Sequence, residues 1–168
     1  CEKLCSLNKN IINCDKLYQA IIIPIYKEGL DILSSSLEAL VSVNYSHERM
    51  IVVLAFEERD RDYERKAEIL EDKFKGEFFE LFSTFHPDGL VGEAKTKGAN
   101  ATWAAKKLKL FLDKKKISYE NVIISCFDAD TCVEKEYFGC LAYQFITQEK
   151  PFQASYQPMP VYNNNIWQ

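Results

Sequence analysis

Asp128 and Asp130 stand one residue apart at the end of an apolar run, Asn121-Val122-Ile123-Ile124-Ser125-Cys126-Phe127. Two carboxylates held that close repel, and a divalent cation is the usual relief. Hard oxygen ligands suit Mg²⁺ or Mn²⁺, which are commonly shared with the phosphates of a substrate. The apolar, β-branched run reads as a buried strand. Its end falls at the carboxyl edge of a sheet, where open α/β folds bind ligands. Side chains two apart on a strand point the same way, so both carboxylates face one site if the extended geometry persists. An Asp just after a strand is also a common turn former or helix N-cap. The rest of the chain must decide between these readings.

The elements that position this pair follow from periodicity. Residues 17–25 contain the continuous apolar run Ala20-Ile21-Ile22-Ile23, as in a strand covered on both faces, with Pro24 ending it. A helix over 30–43 follows, with Leu30, Leu33, Leu37, Leu40 and Val41 on one face. A second strand spans 50–56. Glu57-Glu58-Arg59-Asp60 opens a charged helix that reaches Phe74, its charges read as a solvated face. A third strand spans 77–85, and a loop begins at His86. A helix over 97–114 buries Ala101, Ala104, Ala105, Leu108, Phe111 and Leu112, and the Asp-x-Asp strand comes next. A helix over 134–147 and a last strand over 152–161, bent or at an edge because of Pro158 and Pro160, complete the pattern.

Strands that alternate with helices predict an α/β fold, a mostly parallel sheet with helices on both faces. Right-handed crossovers gather the βα loops at one edge. That edge collects residues 26–29, 57–60, 86–100 and 128–131.

The 168 residues suit one domain, preceded by a lead-in over residues 1–17, and a 47% apolar content supports a core. The net charge of −4 points away from a nucleic-acid partner. No run is long and apolar enough to span a membrane, and no signal-peptide pattern is present. The opening at Cys1 and the ending at Gln168 suggest a piece of a longer protein. The six cysteines lack a zinc pattern, His47 and His86 stand alone, and Cys126 reads as a small core hydrophobe. Reduced thiols in a cytosolic setting are the expectation.

Three ordered segments carry a resemblance. Ile21-Ile22-Ile23-Pro24-Ile25-Tyr26-Lys27-Glu28, Lys97-Gly98-Ala99-Asn100 and Val122 to Asp130 resemble the first strand and Pro-x-Tyr-x-Glu turn, the Lys-Gly-x-Asn segment and the Asp-x-Asp strand of family 2 glycosyltransferases. The match covers about residues 18–161. It implies a GT-A, Rossmann-like fold over residues 18–168, truncated at the C-terminus with its acceptor half missing. It further implies transfer of a sugar from a nucleotide diphosphate to an acceptor hydroxyl, with inversion. By resemblance, Asp130 coordinates Mn²⁺ or Mg²⁺, and Asp128 lies near the ribose or helps the metal. Pro24, Tyr26 and Glu28 wall the nucleotide pocket, Glu57 contacts the base, Lys97 approaches the diphosphate, and Asn100 holds the loop or touches the ribose. Glu57 departs from the family's Asp-Asp-x-Ser ending.

Four of these residues also have a simpler reading. Tyr26 caps the core edge, Glu28 sits at a helix start, Lys97 is a surface lysine, and Asn100 is an N-cap. The family's catalytic base lies farther downstream than this chain reaches, so the piece alone is expected to bind donor and transfer little. The implied partners are a UDP-sugar ahead of a GDP-sugar, and a glycan or lipid acceptor in polysaccharide synthesis. The implied location is the cytoplasm or the cytoplasmic face of a membrane, reached through segments missing here.

Two other readings compete. One is a non-catalytic nucleotide-binding or scaffold domain of the same fold, favoured by the unusual Glu57-Glu58 turn. The other is a haloacid-dehalogenase-like phosphatase, whose pattern wants Thr or Val where Cys132 stands.

Overall fold

A computed structural model describes residues 16–158. Among these residues the alternation of apolar strands and amphipathic helices gives four strands and four α-helices in strict succession. These are β1 (Tyr18–Ile25), α1 (Leu30–Val41), β2 (Met50–Glu57), α2 (Tyr63–Lys73), β3 (Glu80–His86), α3 (Lys97–Lys115), β4 (Val122–Cys126) and α4 (Tyr137–Thr147). The sheet is wholly parallel, in the order β3-β2-β1-β4. The architecture is therefore α/β with a parallel sheet, compatible with a Rossmann-like fold.

Helices cover both faces. Ile21, Ile23, Val52, Leu54 and Phe56 pack with Leu33, Leu37, Leu70, Phe138 and Phe145 from α1, α2 and α4. Ala20, Ile22, Ile51, Val53 and Ala55 meet Ala104, Leu108 and Leu112 of α3. The chain steps outward from β1 to β3, then crosses back to β4 on the other side of β1. With right-handed crossovers this reversal puts α3 on the opposite face from α1 and α2. It also creates a topological switch point between β1 and β4, where open α/β sheets hold their ligands.

Several expected boundaries move. Pro24 lies inside β1, opposite Ala55 of β2. The Ile22 carbonyl accepts from Phe127 N on the β4 side, so the missing Pro24 N–H also faces that side, beyond the last β1–β4 pair at Ile22 and Cys126. Pro24 therefore has no N–H to give the Phe127 carbonyl, and the β1–β4 ladder stops there.

The helix expected from Glu57 begins only at Tyr63, because Glu57 still pairs with His86 in the sheet and residues 58–62 turn. The strand expected over 77–85 starts at Glu80. Residues 152–158 form the end of a 3₁₀ turn and coil without a ladder, and the rest of that expected strand, 159–161, lies outside the described residues. The lead-in is likewise outside them except for its last two residues, as are Cys1, Cys5 and Cys14.

The Asp-x-Asp strand is a partly open edge strand rather than a buried one. α3 lies over β1, β2 and β3. Ile124 is 57% exposed, and Cys126 is exposed instead of serving as a core thiol. Among the described residues no helix is long and apolar enough to cross a membrane.

Candidate functional site

The β4 ladder ends at Cys126, and Phe127 N makes one further bond to the Ile22 carbonyl. Thr131 N then donates to the Asp128 carbonyl at 3.0 Å, closing a turn over residues 128–131. Extended geometry therefore stops before the carboxylates, and strand alternation does not orient them. Both are nevertheless exposed, because the residue between them is pulled inward. Ala129 is 5% exposed, and its carbonyl accepts from Ser36 Oγ of α1. A buried small residue pinned at the centre leaves its two neighbours facing solvent at the switch point.

Lys97, the first residue of α3, forms an ion pair with Asp128. This brings the start of α3 to the end of β4. Thr96 is the N-cap, its side chain accepting from Ala99 N, so Asn100 is not the cap. Asn100 is 1% exposed, and its Nδ2 donates to the Ala55 carbonyl at 2.6 Å. The side chain therefore ties the first turn of α3 to β2 and stays off the surface.

The loop after β1 is held from two directions. Glu28 turns its carboxylate back onto Tyr26 N. Lys27 has a positive φ of 69°, uncommon for a residue with a Cβ. Its N–H donates to Asp60 Oδ2 at 3.3 Å, which ties this conformation to the loop after β2. Asp60 also accepts from Lys66 Nζ at 2.5 Å and from Asp62 N. Burial alone would push the Asp60 carboxyl up. The bond from Lys66, the N–H of Asp62, the Lys66 charge and the N–H of Lys27 together outweigh it and hold the carboxyl below its ordinary value.

Glu57 is 4% exposed, and Arg59 donates to its Oε2 through both Nε and Nη2, the Nε bond being 2.6 Å. The same guanidinium lies 4.6 Å from the Tyr26 ring centroid, and Lys27 Nζ lies 4.9 Å from it. Glu57 and Tyr26, both expected to meet a base, are thus engaged by cations of this chain. A cavity of about 20 Å³ beside Glu57 is lined by Glu57, Arg59, His86 and Asp88, among others. Asp88 in turn pairs with Lys95. His86 packs edge-on to Trp103 at 5.8 Å, with Nε2 3.2 Å from Glu93 Oε2.

The geometry gathers Asp128, Asp130 and Lys97 on one side of the edge, and Tyr26, Glu28 and Glu57 on the other. Pro24 is buried within β1, opposite Ala55. Among the described residues no group of three His, Cys, Asp or Glu side chains could hold a metal ion. Two exposed carboxylates fit a cation that completes its shell with water and substrate phosphates, as Mg²⁺ usually does. They do not form a self-sufficient cage.

Sequence reasoning missed Ser36, which reads as one of three serines in a helix. A small polar residue on the apolar face next to Leu33 and Leu37 was the available signal. It also read Arg59 and Asp60 as surface charges, although their ion-pair partners Glu57 and Lys66 are near in sequence; what it could not see is the burial of Glu57 and the contacts with the Tyr26 ring and Lys27 N of the loop after β1.

No family model, curated protein or solved structure matches the chain.

Proposed function

We propose that this chain is the nucleotide-sugar-binding part of a GT-A glycosyltransferase. The observation that carries the reading is the paired exposure of Asp128 and Asp130 at the switch point, with Lys97 of the α3 N-terminus opposite them. A diphosphate there would meet the positive end of a 19-residue helix and the Lys97 ammonium. Asp130 would ligate Mn²⁺ or Mg²⁺, with Asp128 assisting or contacting the ribose. The bound ion would act as a Lewis acid, neutralising charge on the departing nucleotide diphosphate. Tyr26 and Glu57 would supply a ring face and a carboxylate acceptor to the base, and Glu28 and Asn100 would keep their loops in place. The acceptor would be a glycan or lipid hydroxyl, and none of the residues named above is assigned as the base that would deprotonate it. The enzyme would work in the cytoplasm or at the cytoplasmic face of a membrane.

A non-catalytic domain of the same fold is the second reading. The engagement of Glu57 by Arg59 favours it, because a base site already satisfied internally needs no ligand.

Thermal melting with UDP, GDP and Mn²⁺, singly and together, tests the binding claim. A ligand at one hundred times its Kd stabilises by about 2.7 kcal/mol, a shift of several degrees. The expected shift requires nucleotide and metal together and is larger for UDP. A folded chain whose melting does not respond would contradict the reading.

A further inference from the structure

The cavity beside Glu57, about 20 Å³, holds no more than a water-sized group, whereas small-molecule pockets run to roughly 300 Å³ or more. One of its walls is Arg59, whose side chain is 22% exposed, while that of Glu57 is only 5% exposed. The movable wall is therefore the guanidinium. It presents two N–H donors to one carboxylate oxygen of Glu57 and lays its planar group near the Tyr26 ring.

We propose that Arg59 is a latch on the base subsite, displaced by a nucleobase that takes over both of its contacts. This rests on the nucleotide-sugar reading above. A flat base replaces the guanidinium against the Tyr26 ring, and a base N–H replaces its donors at Glu57. The swap keeps a donor on Glu57 but gives up a mostly buried ion pair, a loss that the contacts of the base and of the rest of the nucleotide must offset. The displaced guanidinium stays near Asp88, whose charge already acts on it.

The exchange also selects. Uracil and guanine carry a ring N–H on their pairing edge and can donate to Glu57. Cytosine and adenine also carry an amino donor on that edge, but beside it stands a bare ring nitrogen that repels a carboxylate seated opposite the ring position. The ligand class is therefore a nucleoside diphosphate with an imide-type or lactam N–H, and Glu57 is the specificity-determining residue once Arg59 has moved.

The test uses the whole chain labelled with ¹⁵N-arginine, titrated with UDP or CDP in Mg²⁺, alongside isothermal titration of Arg59→Met and Glu57→Gln. In the free protein the Arg59 Nε–H signal is protected from exchange, and UDP with Mg²⁺ removes that protection. Arg59→Met binds UDP about tenfold tighter, because the closed state no longer competes. Glu57→Gln erases the preference for UDP over CDP. Nucleotide binding that leaves the Arg59 signal unmoved, or that weakens in Arg59→Met, overturns the latch and leaves the donor site standing. Absence of binding in both folded wild type and Arg59→Met overturns the latch and the donor site together. The arginine signal is read in the wild-type protein, so the test survives a poorly folding variant.

Discussion

Ser36 Oγ donates to the Ala129 carbonyl at 2.7 Å, and this bond ties α1 to the turn that carries both candidate metal-binding carboxylates. Both residues are buried, Ser36 at 2% exposure and Ala129 at 5%. Ser36→Ala leaves that carbonyl without its side-chain partner. The expected cost is about 1–3 kcal/mol, the usual penalty for a buried polar group left unsatisfied. The turn would also lose its anchor, so nucleotide binding with Mn²⁺ should weaken. Urea unfolding and isothermal titration check the two effects. Unchanged stability would show that the turn is held by other contacts.

Asp60 gives a pH dependence with a definite sign. Its folded carboxyl is held below the ordinary value of 3.8. A depressed folded pKa contributes stability that is fully present above the unfolded value and is lost as pH falls through the folded one. Wild type should therefore lose this contribution on acidification below pH 3.8. Asp60→Asn should be less stable than wild type at neutral pH, with the gap shrinking in acid. The loss at pH 7 is about 1–3 kcal/mol, since the Lys66 ammonium, whose side chain is 13% exposed, loses its partner. Melting curves across pH check this.

Lys97 and Asn100 sit within one turn of α3 and should behave oppositely. The Lys97–Asp128 pair is exposed on both sides, at 52% and 69%, so Lys97→Met should change stability by less than about 1 kcal/mol. It should still weaken nucleoside diphosphate binding, because the ammonium faces the carboxylate pair. Asn100→Ala breaks a buried bond to β2 and should cost about 1–3 kcal/mol. Paired melting and titration experiments separate the two residues. Equal effects on binding and stability for both would contradict the division of roles.

The sheet was legible because its two central strands, β1 and β2, are almost wholly buried. β2 is buried at every position, and its run from Met50 to Phe56 admits no helical reading in so short a span. α3 was legible from the spacing of Ala104, Leu108 and Leu112. The order of the strands was not, and so β4 was read as buried although the sheet reversal leaves it at an edge. The same limit applied at the site. Local sequence marked Asp128 and Asp130, whose spacing is itself the signal. It could not mark Arg59, because the burial of its neighbour Glu57 and its contact with the Tyr26 ring in the loop after β1 are set by the fold. It also could not foresee that a turn rather than a strand presents the carboxylates.

The most direct measurement is isothermal titration of UDP into this chain and into Asp130→Ala, with and without Mn²⁺. Asp130 is exposed, so the substitution should leave folding intact. The account predicts binding that requires Mn²⁺ in the wild type and is lost in Asp130→Ala. Binding of equal strength in both proteins, or no binding by a chain shown to be folded, would contradict it.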